Sequence, residues 1–132
     1  MVISYKVNAK IEAHQLSEVF RDSGIRRPYE DLNRMKKMLD YSNLLVTAWD
    51  GEKLVGVARA LTDFSYCCYL SDLAVIKPYQ HNGIGHELVE QVQKQIGDES
   101  MLLLISAPEA MEFYPKIGFT QIDNSFLINR RK

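Results

Sequence analysis

Between Tyr69 and Glu90 the chain reads YLSDLAVIKPYQHNGIGHELVE, and this stretch restricts the fold more than any other. Leu70, Leu73, Ala74, Val75 and Ile76 make Tyr69–Ile76 apolar enough for a buried strand. Pro78 ends it, because proline has no N–H to give to a ladder. Ile84, Leu88, Val89, Val92 and Ile96 then recur at helical spacing, and Asn82 stands where an N-cap would. Gly83 and Gly85 fall where orphan N–H groups leave a new helix, with no side chain to obstruct them. Such donors, aided by the helix dipole, suit a pyrophosphate-bearing ligand. The plainer alternative is a glycine-rich turn that binds nothing.

Three phosphate-binding patterns compete for this turn. A P-loop requires GxxxxGK[ST], and no lysine follows Gly85. A dinucleotide fingerprint requires GxGxxG, but Leu88 occupies the third glycine position, and no clear acidic residue stands further on. The third pattern, [QR]xxGx[GA], is met by Gln80-His81-Asn82-Gly83-Ile84-Gly85. With LAV just upstream, it resembles the coenzyme A loop of the GNAT superfamily, the acyl-CoA-dependent N-acetyltransferases. Downstream, Ser106–Phe119 (SAPEAMEFYPKIGF) resembles that family's next motif, an alanine-bearing helix ending in FYxKxGF. The resemblance runs from Leu54 to Phe119; the first third of the chain matches only in its pattern of elements.

The 132 residues suit a single domain with a sizeable core. A formal net charge of −1 offers no basic stripe, so a nucleic-acid partner is not expected, and Arg130-Arg131-Lys132 reads as a solvated end. No apolar run reaches the roughly 18 residues of a membrane span, and no signal peptide is visible. Cys67 and Cys68 are neighbours in a strand and face opposite ways, which reads as packing in a reducing, cytoplasmic setting. Neither a disulfide nor a metal site is expected.

Along the remaining sequence, Val2–Val7 alternates like an opening strand. Ala13, Leu16, Val19 and Phe20 give a short amphipathic helix closed by Ser23-Gly24, and Leu32, Met35, Met38 and Leu39 a second. Leu44–Trp49 and Leu54–Leu61 flank Asp50-Gly51, a strong hairpin signal, and the strand carrying Asp72 continues the meander. A strand at Met101–Ile105 follows the long helix, and Pro108 suits the first position of a last helix. Pro115 should end that helix near Tyr114. Strands near Phe119–Ile122 and Phe126–Ile128 are expected to finish the sheet, and its edge strands could pair two copies as a homodimer.

The resemblance implies an α/β (α+β) fold, with residues 1–132 forming one N-acetyltransferase domain. Its mixed, mostly antiparallel sheet would have about six to seven strands flanked by about four helices. The sheet would splay between the Asp72 strand and the Met101–Ile105 strand. Acetyl-CoA would be the acyl donor and a primary amine of a small molecule or peptide the acceptor, joined by direct attack in a ternary complex. The N–H groups of His81, Asn82, Gly83, Ile84, Gly85 and His86 would hold the pyrophosphate. Unpaired backbone at Leu73, Ala74 and Val75 would take the pantetheine as an added strand and offer an N–H to the oxyanion. Tyr114, matching the tyrosine of FYxKxGF, would protonate the leaving thiolate.

Asp72 is the carboxylate nearest this centre. It is a candidate base acting through water, and equally a residue that fixes strand geometry. The loop between the first two helices would help wall the acceptor site, which makes Arg26, Arg27, Tyr29 and Glu30 candidate contacts; an exposed charged loop is the plainer reading. Asp22, Glu30, Asp31, Asp63 and Asp72 could together attract a cationic amine. Ser106-Ala107 replaces the asparagine that many relatives use on the pantetheine. A non-catalytic acyl-CoA-binding module of the same fold is the alternative.

Overall fold

The hairpin signal at Asp50-Gly51 is met by a tight turn in which Gly51 takes a φ of 61°, where a side chain would be strained. Around it, the computed structural model describes every residue from Met1 to Lys132. The order is β1 (Ile3–Val7), α1 (Ala13–Ser23), α2 (Leu32–Tyr41), β2 (Leu44–Asp50) and β3 (Lys53–Thr62). β4 (Cys67–Val75), α3 (Ile84–Ile96), β5 (Met101–Leu103) and α4 (Phe113–Lys116) complete it. Single 3₁₀ turns lie at Lys77–Tyr79 and Pro108–Ala110.

The strands form a five-stranded sheet in the order β1-β2-β3-β4-β5. All pairs are antiparallel except β4–β5, which is parallel. Successive residues of β2 and β3, such as Val57 and Ala58, are completely buried, so both faces of the sheet's centre are covered. The amphipathic helices supply that cover: Leu16, Val19 and Phe20 from α1, Met35 from α2, and Leu88, Val89 and Val92 from α3. Gly56 permits a close approach, since a Cβ there would stand 3.2 Å from Leu88 Cδ1 and 3.3 Å from the Ala74 carbonyl oxygen.

Two irregularities in β4 shape the site. Arg59 pairs with Asp72 but Ala60 pairs with Leu70, so Ser71 is the extra residue of a β-bulge. The ladder to β5 covers only Cys67–Tyr69 against Met101–Leu103, whereas β4 continues to Val75. Beyond Tyr69 the sheet is open on that side.

Several expectations need correction. The sheet has five strands, not six to seven: Phe119–Ile122 and Phe126–Ile128 form none. β5 stops at Leu103 instead of Ile105, which leaves an added strand few ladder bonds to offset its ordering entropy. The last helix does not run from Pro108 to Tyr114. A 3₁₀ turn comes first, and α4 begins at Phe113 and passes through Pro115. Pro115 sits in its first turn, where the missing N–H would have had no partner. Finally, Gly83 rather than Asn82 is the N-cap of α3. Asn82 instead donates its side-chain amide to the carbonyls of Tyr79 and Gln80, both at 3.2 Å.

Candidate active site

The turn from β4 into α3 is built by backbone conformations that few residues accept. His81 and Gly83 both have positive φ, 67° and 79°, and a Cβ on Gly83 would meet nothing within 4 Å. The first intrahelical bond of α3 runs from the Glu87 N–H to the Gly83 carbonyl at 3.0 Å, so the amides just before Glu87 have no helical acceptor. They form an open, electropositive helix end. Gln80 braces it, donating from Nε2 to the Val75 carbonyl at 2.7 Å and to the Ser23 carbonyl at 3.1 Å. The end of β4 is thereby tied to the end of α1. Gly85 faces α4, with Phe113 Cζ 3.4 Å from where its Cβ would be.

Strand alternation identifies the open backbone groups of β4. The Ile76 N–H bonds the Val55 carbonyl at 3.0 Å, so positions 72, 74 and 76 direct their backbone groups to β3 and positions 73 and 75 to the open side. The Val75 carbonyl is occupied by Gln80 and the Ser71 carbonyl by Arg27 Nη2 at 2.8 Å. What remains on the open edge is the N–H and carbonyl of Leu73 and the N–H of Val75. Ala74, expected among the edge groups, turns towards β3 and is buried.

Asp72 lies at the bottom of this arrangement, its side chain without solvent exposure. Oδ1 accepts from Arg27 Nε and Oδ2 from Arg59 Nε, each at 2.5 Å. Arg59 Nη2 also donates to Ser71 Oγ at 2.9 Å, and Arg27 Nη1 to the Arg26 carbonyl at 2.7 Å. Two guanidinium groups thus read the bulge at Ser71-Asp72, and Arg27 fastens the α1–α2 loop over it. Arg59 escaped the sequence reading. Its signal was a lone charge within LVGVARAL, which in a buried strand demands a carboxylate partner.

The other candidates assemble around this cluster. Tyr114 is half-buried, with its ring edge-on to Phe113 and Phe119 at centroid distances of 5.1 and 5.4 Å. Burial pushes its phenol above the ordinary value, while the nearby charge of Arg27 pulls it back. Arg27 and Tyr114 therefore share one neighbourhood. Arg26 is exposed and reaches Glu109, just before α4, at 3.8 Å. Tyr29 is half-buried with its carbonyl accepting from Ser17 Oγ at 2.5 Å, and Glu30 is exposed.

Four of the five carboxylates expected to attract a cationic amine are engaged by partners within the chain, and only Glu30 is not. Asp22 pairs with Arg21 at 2.9 Å, Asp31 caps α2, Asp63 accepts the N–H groups of Ser65, Tyr66 and Cys67, and Asp72 is held by the two arginines. Two cavities of about 240 and 250 Å³ lie elsewhere, against Asn8–Ile11 and against Ile96–Asp98, and neither includes the β4–α3 turn.

Comparisons with known proteins identify the family. The family described as the acetyltransferase (GNAT) domain matches residues 15–129. An uncharacterized N-acetyltransferase, ycf52, of Gracilaria tenuistipitata var. liui is 31% identical over 121 residues, covering 85% of this chain and 64% of that protein. A ycf52-like protein of Prochlorococcus marinus is 33% identical over 101 residues, 72% of this chain and 54% of its own length. The chain thus spans less than two thirds of either relative. Among solved structures, a GNAT-family acetyltransferase of Streptococcus pneumoniae superposes with a TM-score of 0.79 at 21% identity, over 98% of this chain and 99% of the other. The aminoglycoside N-acetyltransferase AAC(6')-Iy, solved with CoA, gives a TM-score of 0.74 at 14% identity, over 99% and 96%. On the strength of the matched residues, this chain belongs to the GNAT acetyltransferase family.

Proposed function

We propose that the protein transfers an acetyl group from acetyl-CoA to a primary amine of a small molecule or peptide, within a ternary complex. One observation carries the reading: a helix N-terminus with free amides stands at the end of a strand whose outer edge is open, beside a half-buried tyrosine. The amides of His81–His86 take the pyrophosphate. The Leu73 backbone and the Val75 N–H receive the pantetheine in the manner of an added strand. One of those N–H groups faces the carbonyl oxygen as it gains negative charge, a contribution of about 3 kcal/mol for a well-placed donor. The amine nitrogen bonds the acetyl carbon, the carbon–sulfur bond breaks, and the thiolate takes a proton from Tyr114. A phenol with a raised pKa remains protonated at neutral pH and so is ready to give that proton.

We read Asp72 as an anchor for Arg27 and Arg59 rather than as a base, because both of its oxygens accept from guanidinium groups. The amine then loses its proton to water. That same observation favours the second reading, a coenzyme-binding module without catalysis. Thiol release from acetyl-CoA across a panel of primary amines separates the two. Turnover with at least one amine, reduced in Tyr114→Phe, supports the enzyme; binding without turnover across the panel supports the module.

A further inference from the structure

Arg27 stands at one end of the open edge of β4. The outward-facing backbone groups along that edge belong to Val75, Leu73 and Ser71, in order of distance from the β4–α3 turn. The Ser71 carbonyl is already taken by Arg27 Nη2 at 2.8 Å. Immediately beyond it, the pairing of Tyr69 with Leu103 closes the gap between β4 and β5. The guanidinium therefore marks where the open stretch ends, roughly 13 Å along the strand from Val75. It is not a loose surface group. Nε donates to Asp72 Oδ1 at 2.5 Å and Nη1 to the Arg26 carbonyl at 2.7 Å, and the side chain is only 29% exposed. Its backbone is fixed as well: the Arg27 carbonyl accepts the Tyr29 N–H at 2.8 Å, and the Tyr29 carbonyl accepts Ser17 Oγ from α1. Moving the guanidinium aside breaks a charge-assisted bond to a carboxylate that has no solvent exposure.

We propose that Arg27 sets the length of acyl group the protein accepts, restricting the donor to short-chain thioesters of coenzyme A. The inference rests on the cofactor reading given above. A pantetheine arm that starts at the turn passes Val75 and then Leu73, so its thioester lies against Leu73 and its acyl chain is directed at Ser71. An acetyl group ends before the guanidinium. A butyryl or hexanoyl chain runs into it, and an apolar tail there strips water from a charged group without offering a bond in return. Along an unobstructed edge the opposite trend holds, because each CH₂ that becomes buried raises affinity by up to about fourfold. The sign of the dependence on chain length separates the two.

Isothermal titration with coenzyme A and its acetyl, butyryl and hexanoyl thioesters tests this without an acceptor, with Arg27→Ala and Arg27→Lys alongside. Each affinity is taken relative to that of the same protein for unacylated coenzyme A, a ratio that a general loss of stability does not move. The wild type should bind acetyl-CoA as well as coenzyme A, and the butyryl and hexanoyl thioesters about tenfold or more weakly, as a misfit of a few methylenes requires. That penalty should vanish in Arg27→Ala, where Asp72 keeps Arg59 as its partner. It should shrink in Arg27→Lys, which retains the cation on a slimmer stem. Wild-type affinity that is level or rises with chain length overturns the proposal. So does an undiminished penalty in Arg27→Ala or, should that variant not melt cooperatively, in Arg27→Lys. Failure of the wild type to bind coenzyme A at all refutes the cofactor reading and this inference with it.

Discussion

Replacing Asp72 by asparagine keeps the side chain's shape and removes its charge, which makes it a direct probe of the arginine clamp. The two arginines are not equally dependent on it. Arg59 has a side chain only 8% exposed, so without the carboxylate its guanidinium becomes an uncompensated buried cation. Arg27 is 29% exposed and can swing towards water. Breaking a buried pair by removing one partner costs about 3–5 kcal/mol, mostly from the stranded charge. For a chain of this size that lowers Tm by roughly 10 °C or more. Urea denaturation should show Asp72→Asn strongly destabilised, with its slope unchanged. Arg59→Met combined with Asp72→Leu should recover much of the loss, because an apolar pair of similar volume has no charge to strand. If Asp72→Asn unfolds at the wild-type midpoint while turnover disappears, Asp72 is a base in contact with solvent and the clamp reading is refuted.

Tyr114→Phe should lower kcat by roughly 10²–10⁴-fold while acetyl-CoA still raises the melting temperature, and an equal kcat would remove Tyr114 from the proton transfer. Because burial raises its pKa above 10, the loss of rate attributable to this phenol should begin only at strongly alkaline pH and be absent from the variant. Asp63 is held down to about 2, chiefly by the Tyr66 N–H and then by those of Ser65 and Cys67. A carboxylate with a depressed folded-state pKa contributes stability above its unfolded value and loses it as pH falls through the folded one. The stability gap between wild type and Asp63→Asn should therefore be full above about pH 4 and close towards about pH 2. A gap independent of pH would show that the turn is held by something else.

The parts of this molecule that were legible in its sequence are those set by local periodicity. The change from strand to helical spacing across Pro78 located β4, the turn and α3, and Asp50-Gly51 located the hairpin. Tyr114 is marked by motif resemblance, and its neighbour Phe113 lies 3.4 Å from the Cβ position of Gly85 in the turn. The clamp was out of reach for another reason: Arg27 and Arg59 meet Asp72 across 45 and 13 positions, and no period links them. The bulge at Ser71 was hidden as well, since one extra residue in a strand leaves no compositional mark. Which backbone groups of β4 face outward depends on register with β3, which is why Ala74 turns inward although its neighbours Leu73 and Val75 do not. The Phe126–Ile128 run reads as a strand by composition, but a strand needs an edge to pair with, and this run pairs with none.

The central claim is that the β4–α3 turn holds the pyrophosphate of a coenzyme A thioester, and thermal melting with and without acetyl-CoA tests it most directly. Gly83→Asp is the matched variant: nothing lies within 4 Å of its Cβ, and aspartate tolerates the positive φ better than most residues. It should therefore fold, with a carboxylate set among the amides. At about a hundred times its dissociation constant, acetyl-CoA should stabilise the wild type by about 2.7 kcal/mol and leave Gly83→Asp unmoved. No shift of the wild type at millimolar acetyl-CoA, or an equal shift in both proteins, would contradict the account.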